Sequence, residues 1–396
     1  MKKHFWSLLL LLVFSYWTVK PLFAPGYFPM HDDTQVARVI VMGKALRNGQ
    51  FPVRWVSDLG YGYGYPLYNF YGPLPYYLGG ALYASGVDAV VATKTMMAVG
   101  MLLSGITMYI LVQARFGRLS GILAGILYAF APYHAVQLYV RGAVGELWAY
   151  ALLPLLFVRN RIWVGGLGLA GIILSHTITG YVVVAFYGIG LVMYAAYLFF
   201  NKRFHSSFII HHSSILLIGL GLSAFFWLPA IAEMGYTNVA GQIGATANFR
   251  DHFVCIPQLW NSLWGFGGSV PGCIDGMSFK IGKLHILLAI LGAVLGLYSV
   301  RFFIIIGIVS VFLVFGISRG VWDFLPGFAY VQYPWRLLAA SAFSTSVLGG
   351  SVFFWIRQRW VKIGAFAILL IAILGLNAKL FTPQMTYGQP ADFFES

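Results

Sequence analysis

His31, Asp32 and Asp33 stand side by side in a chain that carries only 11 Asp and Glu in 396 residues. Two adjacent carboxylates beside an apolar segment are costly unless they bind a cation, meet a basic partner or accept a proton. One of them suits a general base that draws a proton from a hydroxyl nucleophile. Neighbours at a helix start project about 100° apart, so only one of the pair faces a given substrate. The plainer alternative is that one of them caps the helix expected near Thr34. A divalent cation, if one is used, would find its ligands in Asp32 and Asp33; no other cofactor is indicated.

Four more clusters could do chemistry. Tyr61, Tyr63, Tyr65, Tyr68, Phe70, Tyr71, Tyr76 and Tyr77 are set among Gly60, Gly62, Gly64 and Pro66, close after Arg54. Aromatic faces stack on sugar rings, and glycines let a backbone turn and approach a ligand; the alternative is an interfacial aromatic belt. In YVRGAVGE, Arg141 and Glu146 could bind a phosphate or orient Asp32, or simply pair with each other. His176, in Ser175-His176-Thr177 at a span end, could take a proton, ligate a metal or donate to a phosphate, or hold two helices together. Arg336, in QYPWRLL where the chain re-enters an apolar run, offers a planar fork suited to phosphate, or an interfacial anchor. Asp251, His252, Asp275, Lys280 and Lys283 are further candidates.

The elements that must position these groups are membrane helices. The chain is 60% hydrophobic and 9% charged, with mean hydropathy +0.80; a soluble domain carries about 25% charged residues. Apolar runs of about 17–25 residues span a bilayer. About eleven are expected, near 5–24, 89–113, 118–138, 144–158, 162–178, 180–200, 208–231, 283–300, 302–317, 337–356 and 361–378. The first reads as an uncleaved span, because no small-residue cleavage site follows it. The fold class is therefore all-α and polytopic, one transmembrane domain over 1–380 with a short outer tail at 381–396.

With Lys2 and Lys3 in the cytoplasm, the inside turns fall at Arg115/Arg118, Arg159/Arg161, Lys202/Arg203, Arg301 and Arg357/Arg359/Lys362. All are short and basic, as the positive-inside rule requires. All 11 carboxylates then fall outside, together with long loops at about 25–88, 232–282 and 318–336. The expected place is the cytoplasmic membrane, with the polar chemistry facing outward. The net charge of +14 marks span ends rather than a nucleic-acid face. Two cysteines exclude a zinc finger; Cys255 and Cys273 share one outer loop, where they form a disulfide or remain two buried thiols. No Walker A or dinucleotide glycine pattern occurs.

Carboxylate, arginine and histidine thus reach one outer face, beneath aromatic loops and above an apolar bundle. That suits a substrate with a lipid tail, a phosphate and a polar head, such as a sugar on a polyprenyl phosphate. Aspartate would deprotonate the acceptor, arginine would stabilise the departing phosphate, and His31, Arg54, Tyr65, Tyr68, Tyr71, Arg141, Glu146, His176 and Arg336 would line the site.

The pieces HDDTQVAR, GQFPVRW, GYGYPLYNFYGPLPYYL, APYHAVQLYVRGAVGE, LSHTITG, FFWLPAIAE, DHFVCIPQLW, DGMSFKIG and VQYPWRLL run in order from about residue 31 to 340. An acidic pair, a short helix, the G-x-FP-x-RW segment and a proline-led helix resemble the first outer loop of GT-C membrane glycosyltransferases. More closely, the chain is similar to the prokaryotic multi-pass membrane proteins called 6-pyruvoyl-tetrahydropterin synthase-related, a label that brings no pterin chemistry to these residues. The resemblance implies an inverting transferase that uses a lipid-phosphate-linked sugar, with an aspartate of the first outer loop as base. By position that is Asp32, with Asp33 in reserve. Two departures stand out: Gln35 occupies a place near which relatives often carry histidine, and no large outer soluble domain follows. The rival readings are a polyprenyl-lipid transporter or assembly factor, and a structural relative without activity. A transporter would place charges mid-membrane in broken helices, and mid-span charge is scarce here.

Overall fold

The computed structural model describes residues 2–201, 206–238, 248–325 and 327–388. The expected turn at Lys202/Arg203, the stretch 239–247 of the second long loop, and the tail from 389 on, with Asp392 and Glu395, lie outside the described residues.

Among the described residues the fold is all-helical, and strand pairing is limited to isolated bridges at Tyr27–Tyr387, Val56–Tyr65 and Phe266–Met277. The N-terminal helix Lys2–Val19 and the helix Ala89–Phe116 are joined by the long first loop. That loop carries two helices of its own, Gln35–Arg47 and Leu74–Ala84. Their backbones cross closely because Gly43 and Gly80 meet there: a Cβ on Gly43 would lie 2.8 Å from the Gly80 oxygen. Asp88 then caps Ala89–Phe116, its side chain accepting from the Val91 amide at 2.9 Å.

The centre of the bundle is the helix Leu338–Trp355, rich in Ala, Ser and Gly. Small residues let neighbours approach it from both sides. Ser344 Oγ donates to the Phe303 carbonyl at 2.6 Å and Ser341 pairs with Ser310 at 2.9 Å. On the other side Gly350 faces Ala124 of the helix Arg118–Ala129.

Lys283–Val314 is an apolar helical segment of 32 residues, non-helical only at Gly296. A straight helix of that length would hold its ends about 48 Å apart. Yet Ile281 N donates to Leu259 O and Val254 N donates to Val314 O, both at 3.0 Å. The chain from Val254 to Leu259 reaches about 18 Å at most. The segment therefore doubles back beyond Gly296 into two arms. The central helix meets both: Leu288 and Gly296 face Gly349 and Trp355, while Phe303 and Ser310 face Ser344 and Ser341.

Among the described residues six helices are long and apolar enough to cross a membrane, or up to eight when each bent pair is one span. The expected count of about eleven is larger, because a criterion of length leaves out the shorter runs. Val144–Phe157 and Ile162–Ser175 are shorter apolar helices, and the arms of Lys283–Val314 count as one. Two expected spans are also broken. Pro132 interrupts 118–138, so that Arg118–Ala129 and Pro132–Arg141 meet at 43°, and Ser207–Leu222 bends by 70° into Ala224–Tyr236. Proline removes a donor and crowds the preceding turn, which accounts for the first break. At the second, Ser223 Oγ donates back to the Gly219 carbonyl at 2.7 Å.

Candidate functional site

Asp32 sits where the first loop crosses the turn after Pro132–Arg141. His31 N donates to Val140 O and Asp32 N to Arg141 O, both at 3.0 Å. Residues 136–141 are wound as a π-helix, which ends on Gly142 in the left-handed region at φ 64°. A Cβ at Gly142 would lie 2.2 Å from Met30 Sδ and 2.8 Å from the Asp32 oxygen. Gln35, fully buried, locks the joint: its amide donates to Gly142 O at 2.8 Å and its oxygen accepts from Tyr76 Oη at 2.6 Å. Gln35 therefore holds the loop helix to the bundle.

The Asp32 carboxylate points into the loop. Arg38 Nη1 donates to its Oδ2 at 2.6 Å, Tyr71 Oη donates to the same oxygen at 3.2 Å, and Thr34 Oγ1 donates to Oδ1 at 2.9 Å. The Arg38 guanidinium also lies 4.2 Å from the Tyr71 ring centroid. Burial works against the charge on Arg38, but the Tyr76 and Tyr71 hydroxyls and the Asp32 carboxylate outweigh it and raise its pKa. Burial likewise pushes the Tyr71 phenol up, so Tyr71 stays a neutral donor. Arg38 belongs to the basic run that follows the aspartates, but nothing in the sequence singled it out as their partner. Asp33 is exposed and has no hydrogen bond or ion pair among the described residues.

The second half of the site lies beneath the same crossing. Glu146, with 1% of its side chain exposed, accepts from Arg141 Nη1 at 2.6 Å and stands 4.0 Å from Arg336 Nε. Tyr133 Oη donates to its other oxygen at 2.9 Å. Arg141 stacks 4.5 Å from the Trp335 ring centroid. Arg336 Nη1 donates to Val331 O at 2.6 Å, while its Nε is buried without a hydrogen-bond partner. Two guanidiniums thus share one carboxylate, which leaves a net positive charge in a buried place. Such an arrangement is expensive unless an anion completes it.

His176 joins the two halves. Its backbone and that of Ser175 pack on Gly72 and Gly145, where a Cβ would meet the Ser175 oxygen at 2.2 Å and 2.5 Å. Gly72 follows Tyr71 and Gly145 precedes Glu146. His176 Nδ1 accepts from the Thr179 amide at 3.2 Å and so caps the next helix. This places the ring proton of the neutral form on Nε2.

Tyr68 is buried and donates to Arg38 O at 2.6 Å, supporting the loop helix. Tyr65 lies in the exposed hairpin closed by the Val56–Tyr65 bridge. His31 pairs with Phe266 O of the second long loop at 3.0 Å. Arg54 reaches the Phe225 carbonyl at 3.0 Å. Asp275 accepts from Gln258, Ser262 and Leu263 N and so shapes its own loop. Cys255 and Cys273 form a disulfide. No group of three His, Cys, Asp or Glu able to hold a metal exists among the described residues. Asp32 already carries Arg38, so a cation at the acidic pair would have to displace that guanidinium from Oδ2. Tyr133 and Arg38 are site members that the sequence did not announce, and Tyr76 was legible only as one of the aromatic tract. Tyr133 lies thirteen residues before Glu146 and meets it only through the break at Pro132.

The chain can be superposed on the Archaeoglobus fulgidus oligosaccharyltransferase in its apo form at a TM-score of 0.55, with 13% identity over 96% of this chain and 56% of that one. The same archaeal enzyme in complex with an inhibitory peptide and a dolichol-phosphate gives 0.52, with 14% identity over the same shares. This likeness is one of fold, and the chain spans little more than half the length of those structures. No curated protein matches the sequence. Residues 68–382 match the 6-pyruvoyl-tetrahydropterin synthase related domain, a membrane protein family, and the chain belongs to that family.

Proposed function

We propose that this protein is a glycosyltransferase that moves a sugar from a polyprenyl-phosphate donor to a hydroxyl acceptor at the outer face of the cytoplasmic membrane. The observation that carries the reading is the buried Arg141–Glu146–Arg336 cluster, one backbone hydrogen bond from Asp32. Its surplus positive charge suits a lipid phosphate, and one solved structure of similar fold holds a dolichol-phosphate. In this reading residues 1–380 form one transmembrane unit with the N-terminus in the cytoplasm.

The Asp32 carboxylate takes the acceptor proton while the acceptor oxygen bonds to the sugar C1 carbon. The bond from C1 to the phosphate oxygen breaks, and the polyprenyl phosphate leaves with its electron pair. Arg38 and Tyr71 hold the carboxylate in its orientation. Arg141 and Arg336 receive the charge that grows on the phosphate, and the His176 Nε2–H adds a donor beside them. The test is a transfer assay in lipid nanodiscs with radiolabelled polyprenyl-phosphate hexoses. Release of polyprenyl phosphate that depends on Asp32 is expected; wild-type protein inert toward every such donor, and unable to bind polyprenyl phosphate, overturns the reading.

A further inference from the structure

A cavity of about 230 Å³ opens beside the Leu67–Phe70 turn, lined by Arg54, Trp55, Asn69, Phe70, Glu233 and Tyr236 among others. Two hydrogen bonds stitch its walls together across elements distant in sequence. Asn69 Nδ2 donates to Glu233 Oε2 at 2.8 Å, and Arg54 Nη2 donates to Phe225 O at 3.0 Å. Asn69 is 3% exposed, so its amide is a fixed part of the wall.

The aromatic wall is also built. Gly64 is held at φ +85°, and a Cβ there would lie 2.1 Å from the Trp55 indole nitrogen. Only glycine lets the indole settle at that place, and the Val56–Tyr65 bridge closes the hairpin behind it. Trp55 and Tyr236 nevertheless remain half-exposed and exposed. The Arg54 and Glu233 side chains offer further donor and acceptor positions at the cavity.

An aromatic face, a fixed amide, a carboxylate and a guanidinium around a space of this size match the needs of a pyranose ring. Its apolar face stacks on an aromatic while its hydroxyls both donate and accept. The cavity also has a fixed relation to the base. Asn69 and Phe70 line it, and Tyr71, the next residue, donates to Asp32. We infer that this cavity binds a saccharide and is the acceptor site. The inference rests on the transferase reading and adds to it that the acceptor nucleophile is a sugar hydroxyl, presented across the turn that carries Tyr71. The donor phosphate enters from the Arg141–Arg336 side.

The probe is a panel of methyl hexopyranosides and their disaccharides, with binding read by saturation-transfer NMR on the full chain in nanodiscs. At least one pyranoside binds the wild type. Trp55→Ala and Glu233→Gln weaken it by about tenfold or more, Trp55→Phe restores most of it, and polyprenyl phosphate binds all variants alike. Wild type that binds no pyranoside at saturating concentration, or binding indifferent to Trp55→Ala and Glu233→Gln, overturns the inference. Transfer that proceeds unchanged in both variants removes the acceptor site and leaves the transferase reading. Pyranoside binding that these variants abolish, in a protein that transfers nothing and binds no polyprenyl phosphate, removes the transferase reading and leaves a sugar site.

Discussion

The Asp32 amide donates to the Arg141 carbonyl at 3.0 Å, and through that one bond an acid of the first loop is fixed to a basic turn more than a hundred residues later. The join is reinforced by His31 N on Val140 O and by Gln35 on Gly142. Any shift of the loop therefore moves the Asp32 carboxylate relative to the arginine pair. This relation separates groups that act on a substrate from groups that only hold the loop.

Replacing Asp32 with Asn keeps the hydrogen-bonding shape and removes the proton acceptor. Transfer is expected to fall by about 10²–10⁴-fold, with unchanged elution in detergent and unchanged polyprenyl-phosphate binding. Asp33→Asn is the matched control, since Asp33 is exposed and lacks a partner among the described residues; it should retain transfer within a few-fold. Equal loss in both variants would sink the assignment of Asp32 as base.

The two arginines should respond differently to truncation. Arg141 forms the short ion pair with buried Glu146, so Arg141→Ala breaks that pair, leaves the carboxylate only the 4.0 Å approach of Arg336, and should cost up to about 3–5 kcal/mol of stability. Arg336 is 4.0 Å from the same carboxylate, and its loss should act first on the donor. Arg336→Ala is expected to weaken polyprenyl-phosphate binding by about tenfold or more with a smaller shift in melting temperature. Thermal-shift chromatography and a lipid-binding assay separate the two effects. Unchanged donor affinity in Arg336→Ala would remove it from the site.

Much of this was legible in the residues, and the limits are physical. Apolar runs and basic turns mark a helical membrane bundle because the bilayer leaves few alternatives. The GYGYGYP run announced a shaped loop, since positive φ at Gly60, Gly62 and Gly64 needs glycine. What escaped was set by tertiary geometry. Arg38 meets Asp32 only because of the way the chain enters the loop helix, and Tyr133 meets Glu146 only because Pro132 bends the chain. Gln35 read as a departure from relatives, whereas it is the buried link between two backbones.

The disulfide Cys255–Cys273 closes a loop with a sequence separation of 18, and this loop carries Phe266, the partner of His31. Chain-entropy reasoning assigns such a closure about 3 kcal/mol. The Cys255→Ser/Cys273→Ser variant should therefore expose the 255–273 loop to limited proteolysis and lower the melting temperature. Transfer should fall less than in Asp32→Asn, because His31 touches the loop while the carboxylate is held by Arg38. Cleavage kinetics identical to wild type would show that the loop is held by its other contacts, including those on Asp275.

Gly142 offers the sharpest test of the join itself. It has φ +64°, and a Cβ there would press on Met30 and on the Asp32 carbonyl. Gly117 has φ +86° with nothing within 4 Å of its Cβ position. Alanine at either site carries the cost of a left-handed backbone, about 1 kcal/mol or more, but only at Gly142 must the Asp32 backbone yield as well. Gly142→Ala is thus expected to lose transfer by about tenfold or more and to be less stable than Gly117→Ala, which should remain active. A second substitution, Met30→Ala in the Gly142→Ala background, vacates the space taken by the thioether but leaves the clash with the Asp32 oxygen, so it should recover little activity. Full recovery would place the constraint on Met30 and dissolve the claimed coupling between the Asp32 backbone and the arginine turn.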